Sequence, residues 1–231
     1  MIEEILPREV VAEEAFGDLD ADLFPEEEAV IARAVDKRRK EFATVRACAR
    51  RALARLGHRP VPLVPGERGA PRWPRGVVGS MTHCVGYRGA AVAAEEAMLT
   101  LGLDAEPHAP LPDGVLGAVS LDSERRMLAG LSAEADTVCW DRLLFSAKES
   151  VYKAWYPLTA TFLEFDEAEI DLRPDGSFAA RLLVPGPVVN GAPLTGFRGR
   201  WLARDGLALT AIALAAAPGT RRHDPANSAV I

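Results

Sequence analysis

Cysteine is scarce in this chain. Cys48, Cys84 and Cys139 are the only three in 231 residues, far apart and odd in number. No C-x-x-C pair exists, which excludes the common zinc patterns, and the set reads as reduced thiols of a cytosolic protein. Positive charge is not in excess either: Lys and Arg total 27 against 33 Asp and Glu, a formal net charge of −6. That balance argues against general binding to nucleic acid or anionic membranes, so an anionic ligand needs a local basic cluster. No apolar run approaches the length of a membrane span. The opening "MIEEILPREV" is acidic where a secretory signal is basic. G-x-x-x-x-G-K-[ST] and a strand-following G-x-G-x-x-G are missing, which excludes a P-loop and an ordinary dinucleotide fold. "GSMTH" is not the G-x-S-x-G of a hydrolase elbow.

What remains is a globular composition, 48% hydrophobic and 26% charged, long enough for a substantial core in one large domain or two small ones. Residues 25–56 have helical apolar spacing, with Pro25 and acids 26–28 at the start, Gly57 at the end and a break expected near 36–39. Residues 58–76 are too rich in Pro and Gly for regular structure and form a loop. "RGAAVAA" (88–94) and "MLTLGLDAE" (98–106) read as a hairpin. A helix is expected around "DSERRMLAGL". A stronger one spans 140–156 and is closed by Pro157. Two more hairpins turn at "PDG" and "RDG". The sum is α+β. The expected organisation is a first half 1–106, a second half 107–217 and a mobile tail 218–231.

Three stretches carry chemistry. In "LGLDAEP" (101–107), Asp104 and Glu106 stand two apart on a strand and therefore point to one face. Paired carboxylates suit a hard cation such as magnesium, or a shared proton, and equally a solvated strand end. In "FSAKESVYKAW" (145–155), Leu143, Leu144, Ala147, Val151 and Ala154 form a core stripe. Phe145, Glu149, Tyr152, Lys153 and Tyr156 share the opposite face. A Glu149–Lys153 surface pair would explain the charges but not the aromatics. In "DKRRKEFATVR" (36–46), Arg38 falls on the apolar stripe with Arg46 beside it, and such arginines seek a carboxylate or phosphate. Ser80, Thr82 and His83 of "VGSMTHC" offer donors in a turn.

Together these stretches resemble the phosphopantetheinyl transferases of the surfactin-synthetase type, in particular their actinobacterial members. The family signature is G-[apolar]-D-x-E/D on a strand, followed about forty residues later by [FW]-[SCT]-x-K-E-[SA]-x-x-K. Here it stands as "GLDAE" and "FSAKESVYK". "KRRKEFATVRACAR", "GERGAPRWP" and "GSMTH" precede it in the family's order, so the resemblance covers about residues 5–214.

The resemblance implies two similar α+β halves forming a pseudo-dimer within one chain, with the active site in the cleft between them. It implies transfer of the 4′-phosphopantetheine arm of coenzyme A to a serine of apo acyl or peptidyl carrier proteins, releasing adenosine 3′,5′-bisphosphate. Asp104, Glu106 and Glu149 would be ligands of magnesium, or of manganese, with water in the place left by Ala105. Arg38 and Arg46 would hold phosphates of coenzyme A. Ser80, Thr82 and His83 would lie at its 3′-phosphate, with Lys153 on the transferring phosphate and Lys148 nearby. Arg68 stands where relatives often carry lysine. Glu149 would be the base, directly or through a water, which makes Glu149 and Lys153 the expected catalytic pair. A cytoplasmic monomer without nucleic-acid or membrane partners is expected, with Arg125 and Arg126 as carrier-docking candidates. The alternative within enzymes is another magnesium-dependent phosphoryl transfer or hydrolysis on coenzyme A or a nucleotide. The alternative outside them is a silent coenzyme A-binding module.

Overall fold

The computed structural model describes residues 1–217, so the expected tail at 218–231 lies outside the described residues. After a 3-10 turn at Ile2–Ile5 come β1 (Val11–Ala15), α1 (Pro25–Ile31) and α2 (Asp36–Arg55). The helical stretch expected at 25–56 is therefore two helices, separated at 32–35, slightly before the expected break. Glu27 explains how α1 is fixed. Its fully buried carboxylate accepts hydrogen bonds from Arg50 of α2, from the Phe24 amide and from the Leu63 amide. One acid thus ties the start of α1 and the 58–76 loop to α2.

β2 (Val77–Cys84), β3 (Tyr87–Ala94) and β4 (Met98–Pro107) follow. Next come α3 (Val115–Val119), α4 (Asp122–Glu134) and α5 (Trp140–Thr159). The chain closes with β5 (Ala168–Leu172), β6 (Ser177–Leu182), β7 (Val188–Val189), β8 (Ala192–Pro193), β9 (Gly196–Arg204) and β10 (Leu207–Ala215). The expected hairpins β5–β6 and β9–β10 form in antiparallel register. Pro157 does not close α5, which continues to Thr159. It lies in the last turn, where its missing N–H withholds only the bond to the Lys153 carbonyl.

Each half lays one twenty-residue helix on an antiparallel sheet. In the first, α2 covers the three-stranded sheet β1-β3-β2. In the second, α5 covers the five-stranded sheet β4-β10-β9-β6-β5. The fold is α+β in two halves, as the resemblance implied.

The hairpin expected between 88–94 and 98–106 does not form. Both edges of β3 are taken, by β1 and β2, and β4 pairs with β10 instead. The strand bearing Asp104 and Glu106 therefore belongs to the second sheet. The first sheet ends at Ala94.

β4 is buried on both faces, which explains its nearly unbroken apolar run. Leu101, Leu103 and Ala105 face a core shared with Ile2, Tyr87 and Leu209. Thr100, Gly102 and Asp104 face α5. The Leu143, Leu144, Ala147, Val151 and Ala154 stripe is buried as expected, and Trp155 joins that core.

Candidate active site

α5 runs antiparallel to β4, and three contacts set its height. Thr100 Oγ1 donates to the Ala154 carbonyl at 2.9 Å. Gly102 touches α5 so closely that a Cβ there would stand 2.0 Å from the Ser150 carbonyl oxygen. Beside them, Ser146 and Ser150 share a fully buried hydroxyl cluster with Thr210 of β10. Rising along this seam, the helix brings Lys153 against Asp104, with Nζ to Oδ1 at 2.7 Å. Its first turn brings Arg142 against Glu106, with Nη1 to Oε2 at 3.0 Å.

Asp104 is 5% exposed, and its Oδ2 is buried without a hydrogen-bond partner. Burial and the Asp104 charge both raise the pKa of Glu149, and Lys153 opposes them. The same two causes, in the same order, raise Glu106, with Arg142 opposing. Glu149 and Glu106 are thus stronger bases than free carboxylates, and each is coupled to Asp104. Lys153 and Arg142 each claim a carboxylate, and no three acidic, histidine or cysteine side chains among the described residues stand as a ready-made ion cage.

Asp104, Glu149 and Lys153 open into a cleft of about 870 Å³ between the two halves. Arg38, Arg46, Arg68, Ser80, Thr82 and His83 line its other side. Arg38 shares the helix face of Phe42, Val45 and Ala49 but lies in the first turn of α2, where it is half-exposed at the rim with Nη1 2.7 Å from His83 Nε2. Burial first, then the Arg38 charge, lowers the His83 pKa, so the ring is neutral and its Nε2 accepts from Arg38.

Arg46 is buried. It donates to the Leu63 carbonyl at 2.9 Å, packs over the Phe42 ring and lies 3.9 Å from Glu27. Arg68 adopts a left-handed backbone and reaches across to Phe162 of the second half, 5.2 Å from the ring centre. Tyr152 bridges Phe162 and Tyr156 by ring contacts at 5.2 and 5.9 Å, which accounts for the aromatic face of α5.

Four expectations change. Lys148 does not enter the cleft. It is buried on Glu124 and on the carbonyls of Phe165 and Ala168, because the helical step from Glu149 to Lys148 turns it toward α4 and β5. Glu106 is held outside the cleft lining by Arg142. Ser80, Thr82 and His83 lie in β2, not in a turn. Arg125 folds back on Ser120 and Asp122 at the start of α4.

Two family models divide the chain between them. The 4′-phosphopantetheinyl transferase N-terminal domain matches residues 26–93, and the 4′-phosphopantetheinyl transferase superfamily matches 100–194. The chain belongs to the 4′-phosphopantetheinyl transferase superfamily. It is 64% identical to 4′-phosphopantetheinyl transferase Svp of Streptomyces mobaraensis, over 95% of this chain and 92% of that one. It is 52% identical to Npt of Nocardia iowensis, over 93% and 100%, and 47% identical to PptT of Mycobacterium tuberculosis, over 93% and 98%. The gap between the two matches falls at the β3–β4 turn, where the strand pairing changes sheet. Within this transferase scaffold, sequence patterns alone missed two residues. Arg142 lies outside the motif, and its only signal was a basic residue in the first turn of the motif's helix. Trp73 lines the cleft and donates to the Gly79 carbonyl at 3.0 Å, which the loop's irregular composition concealed.

Proposed function

We propose that this protein transfers the 4′-phosphopantetheine arm of coenzyme A to a serine hydroxyl of apo acyl or peptidyl carrier proteins. The observation that carries the reading is the convergence of Asp104, Glu149 and Lys153 with Arg38, Arg46, Arg68 and His83 on one cleft between the halves. Acids on one wall and cations on the other fit a pyrophosphate ester whose charge shifts during transfer.

Glu149 accepts the proton of the carrier serine, directly or through a water. The serine oxygen attacks the phosphorus bearing the pantetheine arm. The bond to the bridging oxygen breaks, and adenosine 3′,5′-bisphosphate leaves. Lys153 clamps the transferring phosphate. Neutral His83 holds the Arg38 guanidinium in place for the nucleotide end.

The donor set fits a divalent cation. The Asp104 charge raises the pKa of both Glu149 and Glu106, and the buried Asp104 Oδ2 lacks a partner. Asp104, Glu149 and Glu106 would hold magnesium or manganese. The cation would neutralise the pyrophosphate oxygens and stabilise the leaving phosphate.

Both cleft walls come from one chain, which supports a monomer. Free cysteines support the cytoplasm, and among the described residues no helix is long and apolar enough to cross a membrane. Neither a nucleic acid nor a membrane is needed as a partner. The test is incubation with coenzyme A, magnesium and a panel of apo carriers. Mass spectrometry should show a phosphopantetheine adduct on at least one carrier. No adduct on any would overturn the reading.

A further inference from the structure

β2 and β4 lie side by side where the two sheets meet, yet no backbone ladder joins them. Two side chains take its place. The Leu103 amide donates to Ser80 Oγ and the Ala105 amide to Thr82 Oγ1, each at 3.0 Å. Both partners advance by two residues, so the strands run parallel. Both hydroxyls are buried. The two amides belong to the residues on either side of Asp104. β4 is the edge strand of its sheet, with β10 on its other side, so these hydroxyls satisfy N–H groups that would otherwise be stranded in the interior.

We infer that Ser80 and Thr82 are positioning residues that fix the Asp104 carboxylate opposite Glu149. Thr100 and Gly102 anchor β4 to α5 upstream of Asp104. The two hydroxyls anchor the opposite edge at Asp104 itself, and they come from the other half of the chain. The relative placement of the halves is thereby built into the position of the acid. This role differs from direct contact with the 3′-phosphate of coenzyme A. A hydroxyl that accepts from an amide keeps its proton and a second lone pair, so the bonds to the Leu103 and Ala105 amides hold whether or not it also donates to a ligand. The inference rests on the proposed transferase activity for one readout and on the proposed cation site for the other.

The test compares Thr82→Val, which keeps the shape and removes the acceptor, with Thr82→Ser, which restores it. Mn²⁺ binding is measured by electron paramagnetic resonance without coenzyme A. Transfer is measured with coenzyme A and with 3′-dephospho-coenzyme A. Thermal unfolding checks that each variant is folded. Supporting groups behind metal ligands commonly change affinity by about 10- to 100-fold. Thr82→Val should therefore weaken Mn²⁺ by about tenfold and lower kcat by one factor with both coenzymes, and Thr82→Ser should recover both. Ser80→Ala, a smaller excision, should show the same joint loss and stands in if Thr82→Val does not fold. Unchanged Mn²⁺ affinity in folded variants would overturn the inference. So would a loss confined to KM for coenzyme A and absent with the dephospho form, the signature of a phosphate ligand. Failure of the wild type to modify any carrier would instead overturn the transferase reading and leave the Mn²⁺ comparison to decide the positioning role.

Discussion

Lys153 Nζ stands 2.7 Å from Asp104 Oδ1, while the other oxygen of the same carboxylate is buried and unpartnered. A single lysine therefore supplies the counter-charge of this buried acid. Two consequences follow from one charge. Lys153→Met leaves a nearly buried carboxylate without its counter-charge, at a cost of about 1–3 kcal/mol, read by chemical denaturation without metal. Added magnesium should then raise the melting temperature of the variant more than that of wild type, because the cation no longer competes with an ammonium. An equal shift in both proteins would mean that the lysine and the metal use different oxygens.

Glu149 borders the cleft and gains basicity from burial and from Asp104. Glu149→Gln keeps the side-chain volume and removes the proton acceptor. Coenzyme A binding, followed by calorimetry, should stay within a few-fold of wild type. Transfer should fall by about 10²–10⁴. Undiminished turnover would remove Glu149 from the proton transfer.

Lys148 and Glu124 form an ion pair with almost no exposure, at 2.9 Å. The Glu124 carboxylate also accepts from the amides of Leu121 and Ile170, and Lys148 also donates to two carbonyls. These contacts join α4, α5 and β5. Lys148→Met should cost about 3–5 kcal/mol in chemical denaturation, as expected when one partner of a buried pair is removed. The folded fraction should keep its KM for coenzyme A. A rise in KM without loss of stability would return Lys148 to the substrate.

Most of the second half was legible because its signals are local. The turns at Pro174-Asp175-Gly176 and Arg204-Asp205-Gly206 fixed two hairpins, and helical spacing fixed α5. The β3–β4 pairing was misread because adjacency in sequence suggested a hairpin, while the partner of β4 lies about a hundred residues later in β10. The direction of Lys148 is hidden in the sequence for a related reason. The motif puts it next to Glu149, but a helix turns adjacent residues about 100° apart, and only the packing of α4 shows which way. Glu149 and Lys153 were legible because four residues return to one face.

His83 gives the pH dependence a sign. Burial and Arg38 lower its pKa from 6.5, so the unfolded chain binds a proton there more readily than the folded one. Its stabilising contribution is complete above 6.5 and is lost as pH falls from there through the lowered folded value. His83→Gln should flatten stability against pH in that window when the curve is measured by chemical denaturation. A variant curve parallel to wild type would show that other groups carry the slope.

Gly102 connects the sequence motif to the geometry. Its place in "LGLDAE" needs no unusual backbone angle; what it provides is the absence of a side chain. A Cβ at this position would lie 2.0 Å from the Ser150 carbonyl oxygen and 2.9 Å from the Ala154 amide nitrogen. Both obstacles are backbone, so neither can rotate away, and α5 would have to lift from β4. That movement would separate Asp104 from Glu149 and Lys153 together. Gly102→Ala should cost about 1–3 kcal/mol or somewhat more, and transfer should fall more than the unfolded fraction explains. Gly117→Ala is the control, since a Cβ there meets nothing within 4 Å. If the two variants unfold at the same denaturant concentration and transfer equally well, then close approach of α5 to β4 does not set the spacing of the acids.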